Sequence, residues 1–265
     1  MASSIVQLKR CVRFLALATG LMAGSAGEAR AQAWFATECQ RSFQNDWLPP
    51  TIAAWDICGG FNAELNDTDH QYYYYNLQGA QWRWHDAGDQ IFMDDVDLLY
   101  AGTHGGQTQS GDSSVWGMWD HQQYAYSSSM RLGDEAWRLS VLATYACKTL
   151  KTSDGKHWTR MGPIFRGGLR YALGSHDQVA GGINTDEVGE DFADGLQKQK
   201  SFRYAWKEGN SDWWADQDLT AMTTGANATD CHNRRSGMKW QNFPYYAQLR
   251  DEQVGWVCWT KWDDI

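Results

Sequence analysis

Short apolar runs that stop at small residues recur along the chain, and they predict buried strands. Val96-Asp97-Leu98-Leu99-Tyr100-Ala101-Gly102 leads into Thr103-His104-Gly105, and Leu139-Ser140-Val141-Leu142-Ala143-Thr144 leads into Tyr145-Ala146-Cys147. A third run, Leu169-Arg170-Tyr171-Ala172-Leu173-Gly174, ends at Ser175-His176-Asp177, and Val254 to Trp259 reads as a last strand. Continuous rather than alternating apolarity marks a strand covered on both faces. Thr51 to Ile57 reads as the first strand, broken by Gly59-Gly60. His157 to Phe165 reads as a short helix ended by Gly167-Gly168, and Val188 to Gln199 and Asp212 to Thr223 read as further helices. In the last of these, Trp213, Ala215, Leu219 and Met222 recur at mixed three- and four-residue spacings. Strands alternating with helices predict an α/β domain of three layers, a mainly parallel sheet with helices on both faces.

Other stretches have no such period. Residues 34 to 50 are polar and aromatic and close on Pro49-Pro50, which stops a helix. Residues 61 to 90 are rich in Asn, Asp, Gln, Tyr and Trp, with Tyr72-Tyr73-Tyr74-Tyr75 a strand by propensity. Gly105 to Ser114 repeats Gly, Ser and Gln, a loop composition directly after a strand end, where a substrate-binding lip would sit. Lys148 to Lys156 reads as a second loop. At the amino end, Lys9, Arg10 and Arg13 precede the apolar stretch Phe14 to Ala23 and a small-x-small site at Ala29-Arg30-Ala31 or Ala31-Gln32-Ala33. That order predicts a signal peptide over residues 1–33 and a secreted or periplasmic single domain over 34–265, with no membrane span after leader cleavage.

Composition narrows the partners. A formal net charge of −9 argues against a nucleic-acid groove, which needs a basic patch. Sixteen Trp and twelve Tyr are many, but they are scattered, which fits core and loop packing better than one binding face. Of the six cysteines, Cys11 lies in the leader, leaving Cys39, Cys58, Cys147, Cys231 and Cys258. An exported chain favours paired cysteines, so an odd set implies one free thiol. Cys147 follows a buried strand in mid-chain while the other four lie near the ends, so the preferred pairing is Cys39–Cys58 with Cys231–Cys258.

In an open α/β sheet, ligands bind beyond the carboxyl ends of the strands. His104 and Cys147 stand at two such ends, and a Cys nucleophile with a separate His is a minimal kit for covalent acyl transfer. His176 follows a third strand and is a candidate for the base or for substrate binding; Asp177, Asp112 and Asp97 are candidates to orient the His. A strand ending in His-Gly followed by one ending in Ala-Cys resembles the caspase–gingipain–legumain–clostripain group of cysteine peptidases, and the chain also resembles an uncharacterised secreted bacterial family with that core. The resemblance implies a caspase-haemoglobinase-like fold, His104 in proton transfer, Cys147 as nucleophile, and the N–H groups of Gly105 and Cys147 as the oxyanion site. It covers roughly residues 90 to 180. Several members of the group carry an acid one or two positions before the Cys, where this chain has Tyr145 and Ala146, and many carry a Gly soon after, where it has Lys148-Thr149-Leu150.

The expected function is a secreted cysteine peptidase, or a related acyl-transfer enzyme, acting as a monomer on a peptide or protein substrate. His104, Cys147 and Gly105 would be catalytic, and His176, Asp177 and Tyr145 would line the substrate site. The alternative is a non-catalytic binding protein on the same scaffold that grips glycan or peptide through Trp and Tyr. A basic specificity needs a buried acid in the pocket, with Asp86, Asp89, Asp94 and Asp95 the candidates. No cofactor is expected. Asn66-Asp67-Thr68-Asp69-His70 and Asp94-Asp95-Val96-Asp97 are oxygen-rich enough for a structural Ca²⁺, although solvated loop acids are the commoner explanation. There is no Cys-x-x-Cys pair or His pair at helical spacing for zinc.

Overall fold

Every residue of the three predicted central strands is buried, as their unbroken apolar runs require. The computed structural model describes residues 33–46, 48–66, 93–120, 123–133, 138–179, 185–211, 217–263 and 265. The expected signal peptide, the Tyr72–Tyr75 run, Asp86 and Asp89 lie outside the described residues, as do all but the first residue of the Asn66–His70 cluster.

In chain order the strands are β1 (Phe35–Cys39), β2 (Leu98–Gly102), β3 (Gly105–Gln107), β4 (Ser114–Gly117), β5 (Tyr124–Tyr126), β6 (Val141–Tyr145), β7 (Tyr171–Ser175), β8 (Leu219–Gly225) and β9 (Trp256–Trp262). The helices are α1 (Ile52–Asn66), α2 (His157–Phe165), α3 (Thr185–Gln197), α4 (Phe202–Gly209) and α5 (Ala228–Gly237). Six strands form the main sheet in the order β1-β2-β6-β7-β8-β9, and β3-β4-β5 form a small antiparallel sheet. The pairs from β1 to β7 are parallel, and β8 and β9 are added antiparallel. The sheet is therefore mainly parallel, as expected.

Period-two alternation sorts the core into two layers. Phe35, Tyr100, Ala143, Leu173 and Ala221 face α1, α3 and α4, meeting Phe61, Phe192 and Trp206. Ala36, Leu99, Leu142, Ala172 and Met222 face the other way, onto Met161, Ile164 and Phe165 of α2 and Trp116 of β4. The three-layer α/β expectation is met.

Two readings fail. Residues 52–66 are one helix, not a strand broken at Gly59-Gly60. A Cβ on Gly60 would lie 2.1 Å from the Asp186 carbonyl oxygen, and one on Gly189 would lie 1.9 Å from that of Ile57. Those glycines let α1 and α3 cross almost backbone to backbone, so they mark a helix contact rather than a chain break. The region expected to be helical over Asp212–Thr223 contains β8, while residues 212–216 lie outside the described residues. Its seven strand residues are all buried between β7 and β9, where Thr-rich sequence suits a pleated surface. The aromatic arm also holds an unexpected edge strand, β1, and the Gly105–Ser114 loop is the turn of a hairpin.

The cysteine arithmetic is met: Cys39 is bonded to Cys58, Cys231 to Cys258, and Cys147 is free. The second bridge ties α5 to β9 across a sequence separation of 27 residues. On a chain-entropy basis it contributes about 3.5 kcal/mol. Replacing Cys231 and Cys258 together by serine should lower the urea unfolding free energy by roughly that amount; a change under about 1 kcal/mol would mean that packing alone holds α5.

Candidate active site

Parallel pairing of β2 with β6 sets Gly102 opposite Tyr145, so His104 and Cys147 leave the sheet side by side, each two residues beyond its strand. Thr103 N donates to the Tyr145 carbonyl at 3.3 Å, carrying the pairing one step past the strand end. Gly105 then lies against the backbone of Cys147. A Cβ there would be 2.4 Å from Cys147 O and 2.8 Å from Cys147 N. Only glycine permits that approach.

Two amides at this junction lie outside the ladder between β3 and β4. Gly117 N donates to His104 O at 2.8 Å, so Gly105 and Trp116 face each other as a non-hydrogen-bonded antiparallel pair. The Gly105 N–H therefore turns away from β4. No acceptor among the described residues is paired with the Cys147 N–H.

The His104 ring is fixed from the far side. Its Nε2 lies 2.8 Å from the Pro49 carbonyl oxygen, and its centroid lies 5.4 Å from that of Phe43. A carbonyl only accepts, so Nε2 carries the proton and Nδ1 is the nitrogen left to exchange one. None of the three proposed acids does this work. Asp112 pairs with Lys156 and Asp177 with Lys148, while Asp97 accepts from Trp34 N at the opposite end of the sheet. The orienting group is a main-chain oxygen, which no residue-type search finds; its one trace in the sequence is the Pro49-Pro50 arm.

Cys147 is half-buried, with Sγ 4.0 Å from the Val179 carbonyl. No hydrogen bond joins it to His104. The next residue, Lys148, takes a left-handed conformation at φ 59° and is held from three sides. Its N–H donates to Asp177 O (2.7 Å), its Nζ pairs with the Asp177 carboxylate (3.3 Å), and its carbonyl accepts from Gln107 Nε2 (3.2 Å). Fully buried Arg160 bridges the two loops beyond the motifs, donating to Gly111 O (2.9 Å) and Lys151 O (2.5 Å) and pairing with Asp154. Nothing in the sequence separated Arg160 from any surface arginine.

Beside His104 opens a pocket of about 630 Å³, lined by Leu48, Pro49, His104, Gly105, Gly106, Gln107, Thr108, Gln109, Val115, Tyr124 and Tyr126. Among the described residues, no Asp, Glu, Lys or Arg lines it. Asp94 accepts from Gly133 N and Asp95 pairs with Arg138, both before β2 and so at the other end of the strand from His104. They do not supply an acid to this pocket. Burial raises the pKa of Asp97, against the opposing pull of the Trp34 amide and of Arg138 and Arg170.

Two substrate-site expectations are corrected. Tyr145 shares a face with Val141 and Ala143, so strand alternation drives it into the helical core; it is 4% exposed and its hydroxyl accepts from Gln217 Nε2 at 3.2 Å. His176 is buried too, its ring turned onto β8 and the end of β9. Asp177 stays exposed and acts through Lys148, holding the turn after Cys147.

Residues 52–261 match the model of a family described as a domain of unknown function, DUF6345. The chain belongs to that family. No curated protein matches the sequence of this DUF6345 chain. Among solved structures it is similar to a secreted C11 cysteine protease from Bacteroides thetaiotaomicron, "iotapain", with 10% identity, a TM-score of 0.49, and 72% of this chain aligned to 66% of that one. A secreted C11 cysteine protease from the same species, in complex with an irreversible peptide inhibitor, aligns at 10% identity and TM-score 0.43 over 86% of this chain and 85% of that one. Caspase-1 from Spodoptera frugiperda aligns at 12% identity and TM-score 0.41, again over 86% and 85%. Among the described residues, no helix is long and apolar enough to cross a membrane.

Proposed function

We propose that this protein is an exported cysteine peptidase, or a closely related acyl-transfer enzyme. The observation that carries the reading is the seating of Gly105 against the Cys147 backbone, beside a His104 ring whose Nε2 is committed to Pro49. His104 Nδ1 takes the Cys147 proton, the thiolate so formed attacks the acyl carbon of a peptide bond, and the oxyanion forms within reach of the Gly105 and Cys147 amides. The C–N bond breaks as His104 delivers a proton to the leaving amine. Water then attacks the thioester, His104 takes its proton, and the carboxylic acid leaves with the thiolate restored. Two disulfides support export.

The pocket beside His104 favours a substrate residue with an uncharged, apolar or aromatic side chain, since Val115, Tyr124 and Tyr126 offer it no counter-charge. A peptide library digested by the mature protein, with cleavage sites read by mass spectrometry, tests this. Cleavage is expected, lost after iodoacetamide treatment, with uncharged residues enriched about tenfold over Lys, Arg, Asp and Glu at one subsite. No cleavage, with peptides or glycans retained on the protein, would replace the enzyme by the binding-protein reading.

A further inference from the structure

Three residues far apart in the chain converge where β7 ends, β8 begins and β9 finishes: His176, Asp218 and Asp263. Their ligand atoms all lie within 4.8 Å of one another. His176 Nε2 is 2.9 Å from Asp263 Oδ1 and 3.5 Å from Asp218 Oδ1. Two donors bound to one first-row metal at about 2.0–2.1 Å with a tetrahedral angle are about 3.3 Å apart, so these separations suit a small divalent ion.

The imidazole is set for such a role. Its Nδ1 lies 3.0 Å from the Leu219 carbonyl oxygen and 3.2 Å from Thr220 Oγ1, and the carbonyl can only accept. Nδ1 therefore carries a proton, and Nε2 faces two carboxylate oxygens. A ring nitrogen donating to a main-chain carbonyl while the other faces carboxylates is the usual arrangement of a metal-bound histidine. The ring is 6% exposed. The carboxylates are placed by backbone bonds, because Gln217 N donates to Ile265 O and Ile265 N to Gln217 O. Lys261 Nζ sits 2.6 Å from the same Asp263 oxygen.

We propose that His176, Asp218 and Asp263 form a site for a divalent first-row transition metal of the Zn²⁺ type, with water completing its coordination and Lys261 displaced from Asp263. One imidazole with two carboxylates suits Zn²⁺ or Co²⁺ better than Ca²⁺, which takes six to eight oxygens. The ion would lock the segment from which the chain after Cys147 hangs, since Ser175 O accepts from Leu150 N (2.8 Å) and Asp177 O from Lys148 N (2.7 Å). The site does not depend on the peptidase reading.

The test uses the mature chain carrying Cys147→Ser, which removes the free thiol as a rival ligand. Equilibrium dialysis against Zn²⁺ should load one ion per chain, and Co²⁺ should give a visible absorption band of tetrahedral strength. Asp263→Asn and Asp218→Asn, compared at equal melting temperature in chelator, should each weaken Zn²⁺ binding at least tenfold. Asp263 is exposed, so its variant is expected to fold. Sub-stoichiometric loading, binding of Ca²⁺ in preference to Zn²⁺, or variants that bind as the parent does would overturn the proposal. The cluster would then be a protonated His176 shared between two carboxylates.

Discussion

Replacing His104 by alanine is expected to lower kcat about 10²–10⁴-fold, the range typical of a lost acid–base group, while the melting temperature barely moves. The ring is half-buried and its contacts are few, chiefly the Pro49 carbonyl and Phe43, so little packing is lost. In the proposed mechanism its removal takes away the group that protonates the leaving amine, and added imidazole should restore part of the rate. Cys147→Ala should go further, to background, because no covalent intermediate forms. Steady-state kinetics on a peptide found in the library digest would measure both. An His104→Ala rate within threefold of the parent would remove His104 from the mechanism. His176 is no ready substitute, since both its ring nitrogens are engaged away from the pocket.

A second large effect concerns the fold. Gly189→Ala should destabilise the protein by at least about 3 kcal/mol, at the upper end for overpacking, because its Cβ would sit 1.9 Å from the Ile57 carbonyl and 2.8 Å from Phe61 N. Both are atoms of the α1 backbone, so no rotamer change relieves the contact and the helices must part. Parting them loosens the stack of Phe61 on Phe192, whose centroids are 5.6 Å apart, and both rings lie on Tyr100 of β2. Gly59→Ala is the control. It lies in α1 with nothing within 4 Å of a new Cβ, so alanine should stabilise the helix by roughly 0.5–1 kcal/mol. Urea denaturation of both variants separates the two outcomes; equal changes would refute the close-crossing argument.

The peptidase and metal proposals meet at one structural element without depending on each other. Asp177, one residue past His176, holds the left-handed turn at Lys148 that follows the nucleophile. Chelation is therefore expected to act on Cys147 through the backbone, whereas His104 and its pocket lie on the other side, against the small sheet.

How much of this was legible in the chain depends on the range of the interaction. Strands β2, β6 and β7 and helix α2 announce themselves because burial on both faces, or on one helical stripe, is written into neighbouring residue types. The same local signals put His104 and Cys147 at strand ends, and counting cysteines isolated Cys147 and left the terminal pairs. Elsewhere the local signal misled. Gly59-Gly60 resembles a break when read alone, and Gly60 becomes a packing device only when Asp186 of α3, far along the chain, arrives against it. Leu219–Gly225 carries weak helical spacing, yet its place between β7 and β9 makes it a strand. Tyr145, two positions before the nucleophile, belongs to the core because strand alternation, not proximity in sequence, sets where a side chain points. By itself, then, the sequence determined the layered α/β class, a count of two bridges with one thiol left over, and the pair of motifs, while it left three connectivities among which the local one was only preferred. Tertiary structure decided which group orients His104, which face Tyr145 takes, and that His176 joins Asp218 and Asp263. Each of those rests on a main-chain carbonyl or on chain segments brought together from far apart, and neither is recorded in the local pattern of side chains.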